Sequence, residues 1–159
     1  MKQINEFFSS SMRVPEQIKL TNDQKSIVKG IKWQDIEILD VESDEDIFNF
    51  KFDIKGLNLS NAIVFTVRNV NDLYKIQNVW IAEDLQKLDL GYKLYRAVIE
   101  DIGHSYSPAS GRHNLIQVPK IYNKLMSDPK LDVIKSNNDY LFILESNPNY
   151  TEIKHKFLT

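Results

Sequence analysis

Three runs of strand-forming sequence between residues 47 and 81 constrain this chain more than any other feature. In the first, Ile47, Phe48, Phe50, Phe52 and Ile54 alternate with polar residues over most of their length. That is the pattern of a strand with one face buried and the other wet. The second, Ala62-Ile63-Val64-Phe65-Thr66-Val67, is almost wholly apolar and rich in β-branched side chains, so it belongs in the middle of a sheet. The third runs from Tyr74 to Ile81. Gly56 to Asn61 and Asn69 to Asp72 read as the turns between them. Successive strands on short turns predict an antiparallel meander. Ile36, Ile38 and, less regularly, Val41 outline one more strand ahead of it.

Beyond residue 89 the period changes. Leu90, Leu94, Val98 and Ile102 recur every four residues with Tyr95 and Ile99 beside them, which gives a helix one broad apolar face. Gly103 follows as its C-cap. A shorter helix is expected over Gln24 to Lys29, with Thr21-Asn22-Asp23 as capping side chains and Gly30 as its stop. Ser105 to Ser107 reads as a short strand and Pro108 to Asn114 as a loop. A second amphipathic helix carries Ile121, Tyr122, Leu125 and Met126, with Pro119 in its first turn and Asp128-Pro129 ending it. Leu131 to Ile134 and Tyr140 to Leu144 flank a turn at Ser136-Asn137-Asn138-Asp139. The order implies an α+β domain, a mixed but mostly antiparallel sheet with helices packed on it.

A chain of 159 residues fits one such domain. We place it at residues 21–159, preceded by an N-terminal arm at 1–20. With 2 Trp, 7 Tyr and 8 Phe the sequence is too rich in aromatics for a disordered chain. Its net charge of −2, with lysines and arginines dispersed, offers no footprint for nucleic acid. Cysteine is absent, which excludes a disulfide framework and thiol chemistry. No run approaches the ~20 apolar residues that span a bilayer, and the expected location is cytoplasmic. His104 and His113 lack partners at metal-ligand spacing, so no metal is expected. No nucleophile-elbow pattern surrounds Ser105, Ser107 or Ser110, which argues against a serine hydrolase.

Chemistry concentrates where the last strand of the meander passes into the long helix, from Trp80-Ile81 through Glu83 and Asp84 to Gly91-Tyr92. A strand-to-helix turn presents backbone N–H groups, and the helix dipole favours negative charge at the same point. Glycine there lets a bulky anion approach the main chain. The run Gln86-Lys87-Leu88-Asp89-Leu90-Gly91 resembles the Gln/Arg-x-x-Gly-x-Gly/Ala loop with which GNAT acetyltransferases hold the pyrophosphate of acetyl-CoA. Gln86 and Gly91 match, whereas Asp89 stands at the first glycine. A carboxylate 4 Å from a phosphate charge costs about 1 kcal/mol in water and several times more at an effective dielectric near 20. The same six residues also suit an ordinary turn with Asp89 as N-cap.

Pro119-Lys120-Ile121-Tyr122-Asn123-Lys124-Leu125 is similar to the family's Ala-x-x-Leu-Tyr-x-x-Leu helix. The resemblance covers residues 36–144 and implies a GNAT-like fold whose sheet opens between its fourth and fifth strands. It assigns Ile81, Gln86, Lys87, Leu88, Asp89, Leu90, Gly91 and Tyr92 to acetyl-CoA and Tyr122 to protonating the departing thiolate. The bland reading of Tyr122 is a packed helix tyrosine with its hydroxyl at the surface. Glu83, with Asp84 beside it, stands where a base could assist an attacking amine, or is simply a solvated turn acid. The Lys-Leu-x-x-Asp-Pro turn at 124–129 is similar to divergent GNAT-like proteins of bacteriophages. Two functions are expected from these features. One is transfer of acetyl to an amine. The other is a catalytically silent protein-binding or virion component, with Ile4, Phe7 and Phe8 of the arm as a docking segment.

Overall fold

The computed structural model describes residues 14–108 and 118–159. The arm residues Ile4, Phe7 and Phe8, and also Ser110 and His113, lie outside the described residues. The first helix, α1 (Asn22–Gly30), opens with a capping box: the Thr21 hydroxyl accepts from the Gln24 N–H, and the Gln24 side chain accepts from the Thr21 N–H. A single 3-10 turn at Trp33–Asp35 leads into the sheet.

The strands are β1 (Ile36–Asp44), β2 (Ile47–Ile54), the two-residue β3 (Leu57–Asn58), β4 (Ile63–Val70) and β5 (Leu73–Ile81). All their mutual pairings are antiparallel, as the short turns predict. The long helix α2 (Leu90–Ile102) then crosses the sheet and delivers β6 (His104–Pro108). Helix α3 (Val118–Met126), the hairpin β7 (Leu131–Ser136) and β8 (Asp139–Leu144), and helix α4 (Tyr150–Leu158) complete the described chain. The sheet runs β1-β2-β4-β5-β6-β8-β7, with β3 beside β2. Among the described residues no helix is long and apolar enough to cross a membrane.

The main core lies on one sheet face. Phe50 and Phe52 of β2, Phe65 of β4 and Leu94, Tyr95 and Val98 of α2 meet there, with the Phe65 and Tyr95 rings 5.5 Å apart. Both amphipathic patterns are thus legible in the sequence: the period of two in β2 and the period of four in α2 point at each other. Helix α4 lacks a comparable stripe, and its pattern does not announce it. It covers the opposite face, where Leu141 and Ile143 of β8 pack with Ile153 and Phe157. Strand β8 thus feeds both sides, since Phe142 between them joins the main core.

Two irregularities of the sheet shape the region around the end of β5. The β4–β5 ladder slips between Thr66 and Val67, making Gln77 the extra residue of a bulge. More consequential is the parallel contact of β5 with β6, registered among the described residues only at Lys75 and Tyr106. Among the described residues, β5 is paired from Ile76 to Ile81 on the β4 side alone.

Candidate functional site

Strand β5 ends at Ile81, and a 3-10 turn at Glu83–Leu85 carries the chain toward α2. Glu83 is exposed. Its N–H is held by the Gln17 side chain, and the Asp84 carboxylate accepts from the Leu20 N–H at 2.9 Å. With the Glu16 N–H on the Asn61 carbonyl at 2.7 Å, these contacts lay residues 16–20 along the end of the sheet. Gln86 turns back so that its amide donates to the Ile81 carbonyl at 3.3 Å. Leu85, Leu88 and Leu90 are buried and fix the loop to the core.

Between these anchors the backbone is unusual. Lys87 (φ 65°) and Asp89 (φ 59°) are both left-handed, a conformation that aspartate tolerates and lysine adopts at some cost. Asp89 occupies the N-cap position of α2 but makes no side-chain cap hydrogen bond, and the first turn of α2 contains no acidic residue. The opening N–H groups of the helix therefore lack the side-chain acceptor that a capping aspartate usually supplies. At the site of the expected glycine the main chain keeps a glycine-like fold while the residue carries a charge.

That charge is neutralised from another helix. One carboxylate oxygen of Asp89 faces the Lys124 ammonium at 3.1 Å and the Lys120 ammonium at 3.6 Å. The hydrogen bond from Lys124 holds the Asp89 carboxyl below the usual carboxylate range. The pairing explains why Asp89 does not cap: its side chain is drawn sideways to α3. Lys120 and Lys124, to which neither motif assigns a role, sit four residues apart on α3 and so on one face. Their spacing is visible in the sequence, but nothing in it says which loop they meet.

Ile81, Gln86, Lys87, Asp89, Leu90, Gly91 and Tyr92 line one cavity of about 340 Å³, together with Lys120, Ile121 and Lys124. Of the eight residues assigned to acetyl-CoA, only Leu88 is missing from the lining. Arg96 fixes the two helices that frame this cavity. Its guanidinium is fully buried, stacks 4.3 Å from the Trp33 ring, and reaches Glu100 and Asp128 at 2.7 Å each, the latter just past the end of α3.

Tyr122 does not line the cavity. Its ring is buried among Tyr95, Tyr140 and Phe142, and its phenol donates to the Pro108 carbonyl at 3.0 Å, at the end of β6. The hydroxyl therefore stands inside the fold. Burial pushes its pKa up to about 12, partly offset by the neighbouring Ser107 hydroxyl, so the phenol stays protonated through neutral pH. His104 is a buried packing residue, stacked on Tyr74 with its Nε2 accepting from the Tyr74 N–H, and burial lowers its pKa to about 4.

No protein-family model matches the chain, and no curated protein matches it in sequence.

Proposed function

We propose that this chain is a GNAT-like protein that binds acetyl-CoA and transfers its acetyl group to an amine. The observation that carries the reading is that, among the described residues, β5 has no registered partner in β6 beyond Lys75, and its free stretch ends at Ile81 in the wall of the cavity. The resemblance requires a sheet that parts between the fourth and fifth strands expected from the sequence, which are β5 and β6 once the two-residue β3 is counted. In this reading the opening N–H groups of α2, with Gln86, Lys87 and Gly91 around them, receive the pyrophosphate. The acceptor amine attacks the thioester carbonyl directly, so a C–N bond forms and the C–S bond breaks. Neither Tyr122 nor Glu83 lines the cavity, so in this reading the Tyr122 phenol must leave the Pro108 carbonyl to protonate the departing thiolate, and the exposed Glu83 takes the proton released by the amine through water. Holding the two reactants together supplies most of the acceleration.

A catalytically silent GNAT-like protein that binds another protein, in a bacteriophage virion or host cytoplasm, is the second reading. The carboxylate at position 89 favours it, because a cofactor phosphate must contend with a charge of its own sign. A thermal melt with acetyl-CoA separates the two. Ligand at ~100 times its dissociation constant adds about 2.7 kcal/mol, which raises the midpoint of a domain this size by about 5–10 °C. Such a shift supports cofactor binding, and turnover of a panel of amines then tests transfer. An unchanged midpoint at millimolar acetyl-CoA removes the enzyme reading and leaves the binding protein.

A further inference from the structure

The proposed cradle already contains an anion of the protein's own. We propose that Asp89 is a resident counter-ion that keeps Lys120 and Lys124 latched across the cavity, and that an incoming phosphate group must displace it to bind. This inference rests on the reading of residues 86–91 as an anion site and says how that site is governed.

Three observations converge. Both ammonium groups are drawn to the same carboxylate oxygen, at 3.1 and 3.6 Å, so a single side chain restrains both cations. The left-handed backbone at Asp89 goes with a carboxylate that leaves the α2 N–H groups uncapped, so those donors and the two lysines form the walls of one cavity. Finally, Lys120 and Lys124 also line a neighbouring hollow of about 750 Å³ with Tyr92, Asn123 and Ser127. The lysines thus form a ridge between two open spaces, and they have room to turn from the carboxylate to a ligand.

The chemistry favours exchange. The three side chains are 46%, 38% and 61% exposed for Asp89, Lys124 and Lys120, and ion pairs so open to water are weak. A phosphate group carries up to twice the charge of a carboxylate and three acceptor oxygens, so it competes well for the same ammoniums. Lys87 stands exposed in the cavity wall and Lys93 one turn into α2, its ammonium donating to the Lys29 carbonyl at 3.0 Å. Both add to the positive field that would receive the ligand. The latch makes the site selective against weakly charged anions, because only a ligand with more charge than Asp89 gains by the exchange.

The test is calorimetric titration of the full chain with inorganic pyrophosphate and with CoA at low ionic strength. Asp89→Asn is the informative variant, since asparagine tolerates the same left-handed backbone and matched melting curves check its fold. Releasing two exposed ion pairs should tighten binding about two- to threefold. Added salt should shrink the gain, and Lys120→Met with Lys124→Met in the Asp89→Asn background should erase it. Equal affinity of the native chain and Asp89→Asn would overturn the latch while leaving the cradle intact. Binding by the variant but not by the native chain would support the latch and make the native protein the silent form. If neither binds either probe, the latch and the acetyl-CoA reading fall together.

Discussion

Helices α1 and α2 begin with residues from the same capping set, threonine and aspartate, yet only one of them is capped. Thr21 and Gln24 exchange hydrogen bonds and close the start of α1 with its own side chains. Asp89 turns away from α2 to Lys120 and Lys124, and leaves that start open. The difference lies in what else holds each helix. α1 buries little besides Val28, so its local cap matters. α2 buries most of its length and is pinned by Arg96, so its first turn is released from a structural duty. Its far end is sealed as well: Gly103, at φ 89°, returns its N–H to the Ile99 carbonyl, and any Cβ there would meet the Asn147 amide at 2.6 Å.

The contrast breaks first if α2 is not held by its core. Leu94 is fully buried, and Leu94→Ala should cost about 3 kcal/mol, measured by urea unfolding. A loss below about 1 kcal/mol would show that the helix depends on its ends after all. Next in size is the acid response of His104, just past the sealed end. Its folded pKa of about 4 lies below the ordinary 6.5, so the unfolded chain takes up the proton first as pH falls. The stabilisation is complete above about pH 6.5, is lost as pH falls through the folded value, and amounts to about 3 kcal/mol. His104→Gln should flatten the stability profile between pH 6.5 and 4; an unchanged slope would assign it to another group.

The helix starts themselves give smaller effects. Thr21→Ala should cost about 1 kcal/mol and leave pyrophosphate affinity unchanged, whereas Asp89→Asn should move stability by about 0.5 kcal/mol or less. Where Asp89→Asn does differ, the sign is fixed. The carboxyl is depressed by Lys124, so its stabilisation is present above the ordinary aspartate pKa of about 3.9 and disappears as pH falls through the lower folded value. A variant that lost more stability than Thr21→Ala would mean that Asp89 is a structural residue and the two starts are alike.

The sequence is most readable where its signal is local. β2 spans Ile47–Ile54 and α2 spans Leu90–Ile102 because their periodicities are strong and their ends are marked by turn residues and Gly103. Helix α4 escapes because Ile153 and Phe157 are too sparse a stripe against its lysines and histidine. In the site, the loop at 86–91 is legible from Gln86 and Gly91, but its electrostatics are not. Asp89 alone predicts repulsion of an anion; its partners come from α3, over thirty residues later, and pairing between distant helices leaves no local pattern. Tyr122 stands out as a residue, while its bond to Pro108 depends on the path of β6.

The registration of β5 with β6, single among the described residues at Lys75 and Tyr106, also bears on how the chain acquires its fold. Every pairing among β1 to β5 joins strands between residues 36 and 81, and every pairing among β6 to β8 joins strands between 104 and 144. Each half can assemble from contacts near in sequence, which keeps contact order low within it and closure fast. Helix α2, spanning the interval, joins the two halves over one core, in which Phe142 of β8 belongs to the same cluster as Phe50 and Phe65. Amide exchange at the β5–β6 joint would show whether the halves part there before either one unfolds.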